Sequence, residues 1–589
     1  MFQNGLVNFF YTETNLIMIT DILFFPALIV IAGGFLLPLL PEKVRSATFL
    51  LFPAIALAGI WMMPADFTLT MNVTAYELIL VQTDALSRIF ATIFATTAII
   101  GGIYAYHNKD LGEQSSALVY AGGALGVAFA GDFFTLIVFW ELMAFSSTYL
   151  IWARKEKRSL DAGIRYLIYH SLGGGILLSG IIMHLNQTGS ILITELPEAY
   201  SLSSIFILIG VAINSAIPPL HAWLADAYSK ATITGAVFMS AFTTKSAIYV
   251  LMRLFPGWEI LIWLGVLMAI YGTIYALLAN DIREILAYSI ISQLGYMVTG
   301  IGIGTELALN GTATHAFSHI LYKSLLFMGA GAVIYATGKS KLTELGGFAK
   351  KMKMTVFLYM IGAFSISGFP LFNGFISKSM IIKGTTEAHF EIVTLLLLIA
   401  SIGSFLHTGL KLPYFTWFGS QKNEITVKPL PVNMLIAMGI GAFFCTLFGV
   451  YPALLYNYLP YPVDYQPYTV YHLVETTQIL IFAFIGFWIL RKKLKGTHKI
   501  TLDTDWFYRK PAPFVRKVFV AAPNTMFGWF ETTTLRIASA LSKSFKNPMT
   551  WLNPFVPHGK KSSTYSPQIG AVLSFVLLTI FVFGLMMIL

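Results

Sequence analysis

The chain has 589 residues, of which 56% are hydrophobic and only 11% charged, a balance that excludes an ordinary soluble domain. Its net charge of +10 is not a nucleic-acid signal, because the basic residues gather in short loops between apolar runs. The single cysteine, Cys445, excludes an internal disulfide and any cysteine-built metal centre.

Apolar stretches recur along almost the whole length, each long enough to cross a hydrocarbon layer about 30 Å thick. In chain order they fall near 17–39, 46–64, 83–106, 115–131, 133–152, 163–184, 203–224, 233–254, 259–279, 284–304, 308–336, 354–372, 391–418, 431–456, 472–490 and 568–589. The expected class is therefore an all-α polytopic membrane protein of about 16 transmembrane helices. The first run is long enough to remain as a helix, and no cleavable signal peptide is evident. Basic clusters follow the first, fifth, eleventh and fifteenth spans: Glu42-Lys43-Val44-Arg45, Arg154-Lys155-Glu156-Lys157-Arg158, Lys350-Lys351-Met352-Lys353 and Arg491-Lys492-Lys493. Short basic loops belong on the cytoplasmic side, so this parity predicts a multi-pass inner-membrane chain with both termini outside.

Two spans are interrupted alike. One runs through Ile217-Pro218-Pro219-Leu220-His221-Ala222-Trp223-Leu224, the other through Ser367-Gly368-Phe369-Pro370-Leu371-Phe372-Asn373-Gly374-Phe375. Proline breaks the helix ladder, and the freed backbone groups must be satisfied inside the protein or by cavity water. Matched breaks five spans apart point to two inverted five-helix repeats. Farther on, residues 491–567 turn polar and basic. Within them, Phe514–Phe545 mixes aromatic and basic residues at helical spacing, which predicts an amphipathic helix lying along the membrane before a last anchor. The expected domains are 1–114, 115–257, 258–460 and 461–589.

Ionisable residues inside these spans cost at least ~3 kcal/mol each at the bilayer centre, and so need a function or a partner. Glu141 lies near the middle of the fifth span, where its charge state depends on its neighbours. Lys245, among Thr243, Thr244 and Ser246, is a buried lysine able to carry or release a proton. His315, His319 and Lys323 recur at i, i+4 and i+8, one stripe over ~12 Å of helix axis. Imidazole can pass a proton between its two nitrogens, which favours a relay. A metal is the competing use of paired histidines, but no third ligand is close in sequence. Lys378 follows the second break. Asp226 and Asp281-Ile282-Arg283-Glu284 lie near span ends and read as caps or structural ion pairs.

These motifs resemble the antiporter-like subunits shared by respiratory complex I and the Mrp-type multisubunit cation/proton antiporters. The resemblance covers most of residues 84–420. It is carried by Phe139-Trp140-Glu141-Leu142-Met143, by Pro219-Leu220-His221-Ala222-Trp223-Leu224-Ala225-Asp226-Ala227, by Leu286–Tyr296, by His315–Gly331 and by Gly374-Phe375-Ile376-Ser377-Lys378. It implies that Glu141 is the acidic residue of the fifth helix, which in the family pairs with a lysine of the seventh. It implies further that Lys245, His315, His319 and Lys323 form a relay across the membrane and that Lys378 lies near its exit. The amphipathic segment looks like a short version of the family's lateral helix.

One position departs from the family. Asn214 stands where the seventh-helix lysine is expected, so Glu141 either holds its proton or pairs with Lys245 instead. Ala225 and Thr232 also replace family prolines.

The expected function is proton and cation translocation within a Mrp-type complex. The alternatives are a proton-pumping subunit of a complex I-like or membrane-bound hydrogenase-like redox enzyme, and the energy-coupling subunit of an inorganic-carbon uptake system. No cofactor, metal or nucleic acid is expected. The partners are other membrane subunits, the lipid bilayer and protons, with Na⁺ or K⁺ left open as coupling ions. By itself the chain is a transport subunit rather than an enzyme.

Overall fold

The computed structural model describes residues 24–420, 425–497 and 502–545. They fall into two compact units that divide between Thr504 and Asp505. The larger unit begins with α1 (Pro26–Leu36) and α2 (Glu42–Met62), followed by a hairpin of β1 (Thr68–Val73) and β2 (Tyr76–Gln82). Then come α3 (Ala85–Tyr104), α4 (Leu111–Phe129), α5 (Phe133–Trp152), α6 (Lys157–Thr188) and α7 (Leu202–Asn214). After a non-helical break, α8 (Ala222–Lys230), α9 (Ile233–Ala241), α10 (Thr243–Leu254), α11 (Glu259–Leu278), α12 (Ile282–Ile303) and α13 (Glu306–Thr337) follow. A second break separates α14 (Lys353–Ser367) from α15 (Asn373–Glu387), and α16 (Glu391–Ser404) runs on into π-helical turns at Phe405–Lys411 and Tyr414–Phe418. The unit closes with α17 (Val432–Val450) and α18 (Val470–Leu490).

Each expected span from 17–39 to 472–490 overlaps one of these helices, and the span 568–589 lies outside the described residues. Among the described residues, 11 helices are long and apolar enough to cross a membrane. The span Ile233–Leu254, which α9 and α10 share, and α12 are buried along their apolar stretches, whereas that of α18 is only 17% buried. The former therefore form the centre of the bundle and the latter its rim. The all-α expectation is corrected by the antiparallel hairpin, whose β-branched and alternating residues favour pairing between two helices.

Aspartates start several helices. Asp132 accepts from the Phe134 and Thr135 amides at 2.8 Å, and Asp281 accepts from the Arg283 amide at 2.8 Å. Each also forms an isolated antiparallel bridge, Asp132 with Leu192 and Asp281 with Lys341, an offset of 149 residues in both (132 to 281, 192 to 341). α6 and α13 are both 32 residues long, and each ends on a left-handed glycine, Gly189 and Gly338, at the same offset.

In the smaller unit, the expected amphipathic segment is helical from Ala512 through a π turn at Lys517–Ala521 into α19 (Ala522–Phe545). Phe514, Phe519 and Phe527 are exposed within that unit.

Candidate functional site

The acidic end of the site lies between α5, α6 and α7. Glu141 is half-buried, and its Oε1 is shielded from solvent without a hydrogen-bond partner. That oxygen lies against Gly174 of α6, so close that a Cβ there would overlap it. Among the described residues no ion pair joins Glu141 to Lys245. The pairing expected as an alternative is absent because the lysine is satisfied elsewhere. Asn214, the last residue of α7, accepts a hydrogen bond from His170 Nδ1 at 2.7 Å. Across the break that follows, Trp223 Nε1 donates to the Ile213 carbonyl at 2.9 Å and so holds the two half-helices together.

Two of the lysines, Lys245 and Lys378, dock on backbone carbonyls freed where helices stop. The helical ladder is interrupted at Phe242, between α9 and α10, and Lys245 Nζ donates to the Ser240 carbonyl at 2.7 Å. Lys378 Nζ donates to the Ile366 carbonyl at 2.9 Å, in the last turn of α14, and to Ser401 Oγ at 3.3 Å. Its ammonium also sits 5.3 Å above the Tyr296 ring. Broken helices thus do specific work here. They expose acceptors that hold an ammonium at membrane depth without a carboxylate.

On α13, His315 and His319 lie with ring centroids 6.2 Å apart. His315 Nδ1 bonds Ser377 Oγ at 2.9 Å, whereas both ring nitrogens of His319 are buried without a partner. Lys323 Nζ donates to the Leu286 carbonyl at 3.0 Å and to the Ser289 hydroxyl, both on α12. His319 is within electrostatic reach of Lys245, Lys323 and Lys378, so these groups cannot all be charged at once without strong mutual repulsion. Lys378 lines a cavity of about 1000 Å³, with Thr305, Glu306, Asp464 and Glu475 among its walls. Glu306 begins α13, so the cavity opens at the end of that helix opposite Lys350–Lys353.

The structure adds residues that the sequence pattern alone did not single out. His170 joins the acidic end. His407 and Lys411 lie in the π-helical turn after α16, both buried, and His407 is within reach of Lys323, Lys378 and Lys411. Lys411 Nζ donates to the Ala279 carbonyl at 2.8 Å, at the C-terminal end of α11. All three are ionisable groups inside predicted spans, the same signal that singled out the other six.

Another unforeseen contact is made by Asp503. It accepts from Tyr271 Oη at 2.6 Å and Tyr288 Oη at 2.5 Å, and its Oδ1 lies 3.1 Å from His221 Nε2. Thr504 Oγ1 donates to the Pro219 carbonyl at 3.1 Å, so this segment reaches the first helix break. Among the described residues, no cluster of histidine, cysteine and acidic side chains forms a metal-binding set.

Bundle and site together define a multi-pass membrane protein with a buried row of titratable side chains. Residues 130–406 match the model of the family described as NADH:quinone oxidoreductase/Mrp antiporter, transmembrane. The chain is 33% identical over 305 residues to an NADH-quinone oxidoreductase subunit of Desulforudis audaxviator, covering 48% of this chain and 61% of that subunit. It is 31% identical over 424 residues to a Na(+)/H(+) antiporter subunit of Alkalihalophilus pseudofirmus, covering 63% of this chain and 52% of that one. It thus spans less than two thirds of the length of each of these two relatives. Among solved structures, a chain of the membrane-bound sulfane sulfur reductase, an archaeal respiratory membrane complex, matches with a TM-score of 0.69 and 26% identity. That match covers 95% of this chain and 99% of the other.

Proposed function

We propose that the chain is the proton- and cation-translocating membrane subunit of a multisubunit Mrp-type cation/proton antiporter. Protons pass along Glu141, Lys245, His315, His319, Lys323 and Lys378, with His407 beside the last two. The observation that carries this reading is the set of three lysines held at membrane depth on backbone carbonyls and hydroxyls rather than on carboxylates. A lysine docked this way can be neutral or charged without breaking a salt bridge, which suits a group that must cycle. The cavity beside Lys378 supplies the opening to one side, and the basic loops favour the opposite side as cytoplasmic. Both termini are then outside.

The finer architecture belongs to the same proposal. Two inverted repeats, at 115–257 and 258–460, follow N-terminal helices 1–114 and precede a lateral segment and anchor within 461–589. The constant offset of 149 residues between the aspartate bridges supports an internal repeat (132 to 281, 192 to 341). Other membrane subunits, the bilayer, and protons with Na⁺ or K⁺ are the proposed partners.

Lys245→Ala and Lys323→Ala are each expected to abolish ion-driven proton movement in membrane vesicles while the complex still assembles. Full activity in either variant sinks the relay. A second reading, a subunit of a redox-driven complex, is favoured by the near-complete match to the chain from the sulfane sulfur reductase complex. Copurification of iron–sulfur subunits would select it.

A further inference from the structure

The helix beside Asn214 supplies a base that the family resemblance does not provide. His170 lies near the middle of α6 and is 1% exposed. Because Asn214 Oδ1 can only accept, the proton of that 2.7 Å bond sits on Nδ1, and Nε2 is left with a bare lone pair. Nε2 is buried and has no hydrogen-bond partner. The ring is held between Tyr166 at 4.2 Å and Trp223 at 4.4 Å. A histidine that only held the fold would be expected to satisfy both nitrogens.

The repeat makes the same assignment independently. The offset of 149 residues that relates the aspartate bridges, and the glycines ending α6 and α13, carries 170 onto 319. His170 therefore holds in the first half the place that His319 holds in the second. Gly174 corresponds likewise to Lys323, and the space this glycine leaves is the one that Glu141 Oε1 enters, one helical turn from His170. On the other side of the ring, Tyr166 Oη lies 2.8 Å from Ser147 Oγ and 3.5 Å from Thr243 Oγ1, and Tyr120 Oη lies 2.6 Å from Thr243 Oγ1. Those hydroxyls lead to the turn of α10 that carries Lys245.

We infer that His170, fixed by Asn214, is the proton carrier of the first half and takes the part of the lysine missing at 214. The inference rests on the relay proposed above. In the step, Nε2 accepts one proton from the Glu141 carboxyl, giving an imidazolium and a carboxylate, the ion pair that Glu141 lacks while His170 is neutral. Loss of that proton toward Tyr166 and Lys245 resets the ring, and no heavy-atom bond forms or breaks.

The test uses inverted membrane vesicles containing the whole complex, with proton movement followed by a ΔpH-sensitive dye on addition of NaCl or KCl. His170→Ala and His170→Gln are expected to lower the rate about a hundredfold or more, the range that a positioned proton carrier contributes. Adding Asn214→Lys to His170→Ala is expected to restore most of it, which a packing role for the imidazole would not allow. Wild-type rates in His170→Gln, or no rescue in an assembled double variant, overturn the inference while the relay stands. Loss of any distinction between wild type and Lys323→Ala overturns the relay itself, and the inference with it.

Discussion

Gly174 shows how one missing side chain can position a charge. The carboxyl of Glu141 occupies the volume where any other residue would place its Cβ. Gly174→Ala must therefore swing Glu141 away from α6. Alanine in a helix interior is favoured over glycine by up to about 1 kcal/mol, so the fold itself should not weaken. Ion-driven proton movement is expected to fall about tenfold in Gly174→Ala at unchanged assembly. Gly175→Ala, whose added Cβ meets nothing within 4 Å, is expected to behave as wild type. Equal rates in the two variants would mean that the position of Glu141 against α6 does not matter. On the proposed relay, the same scale accounts for Asn214. A lysine there would bring its own charge, whereas Asn214 fixes the tautomer of a neighbouring ring that can acquire one.

Helix breaks are where this chain converts backbone into binding groups, and one break is covered from a distance. Asp503 reaches His221 beside the first break, with a side chain only 6% exposed. Burial pulls its carboxyl upward, but the adjacent His221 ring and the hydrogen bonds from Tyr271 and Tyr288 outweigh that and hold it well below the usual carboxylate range. A lowered carboxyl stabilises the contact above its ordinary value and loses it only as pH falls through the lower one. The segment 502–504 should therefore stay as protected from hydrogen exchange at pH 5 as at pH 7. Asp503→Asn is expected to weaken its seating by about 1.5–3 kcal/mol and to speed tryptic cleavage near Lys495. An unchanged cleavage rate would show that the carboxylate does not hold it.

These contacts also mark what could be read beforehand. The spans were visible because an apolar run long enough to cross a bilayer has few other uses, and Pro218, Pro219 and Pro370 announced the breaks. The hairpin Thr68–Gln82 was missed because its short alternation sits between two far stronger hydropathy signals. His170, His407 and Lys411 were legible but overlooked inside long apolar runs. Asp503 was not, since Thr504 and its partner Pro219 are 285 residues apart. Sequence spacing carries no information about such a contact.

At the scale of the whole molecule, charge and openness are distributed asymmetrically along the membrane normal. The clusters Arg154–Arg158 and Lys350–Lys353 follow α5 and α13, whereas the cavity at Lys378 is walled by Glu306, Asp464 and Glu475 from the other end of the bundle. A carboxylate-lined mouth raises the local concentration of cations, while basic loops stay on the cytoplasmic face. In the proposed orientation the relay has its cation-attracting side outside and its positively charged side inside. The arrangement predicts the sidedness of chemical labelling. In a Cys445→Ala background, which removes the one buried thiol, Asp464→Cys should react with a membrane-impermeant maleimide added to intact cells. Lys351→Cys should react only in inverted vesicles. The reverse pattern would turn the chain over in the membrane and place the Lys378 cavity on the cytoplasmic side. Labelling of both from one side would break the parity argument altogether, because α13 could not then span the bilayer between Glu306 and Lys351.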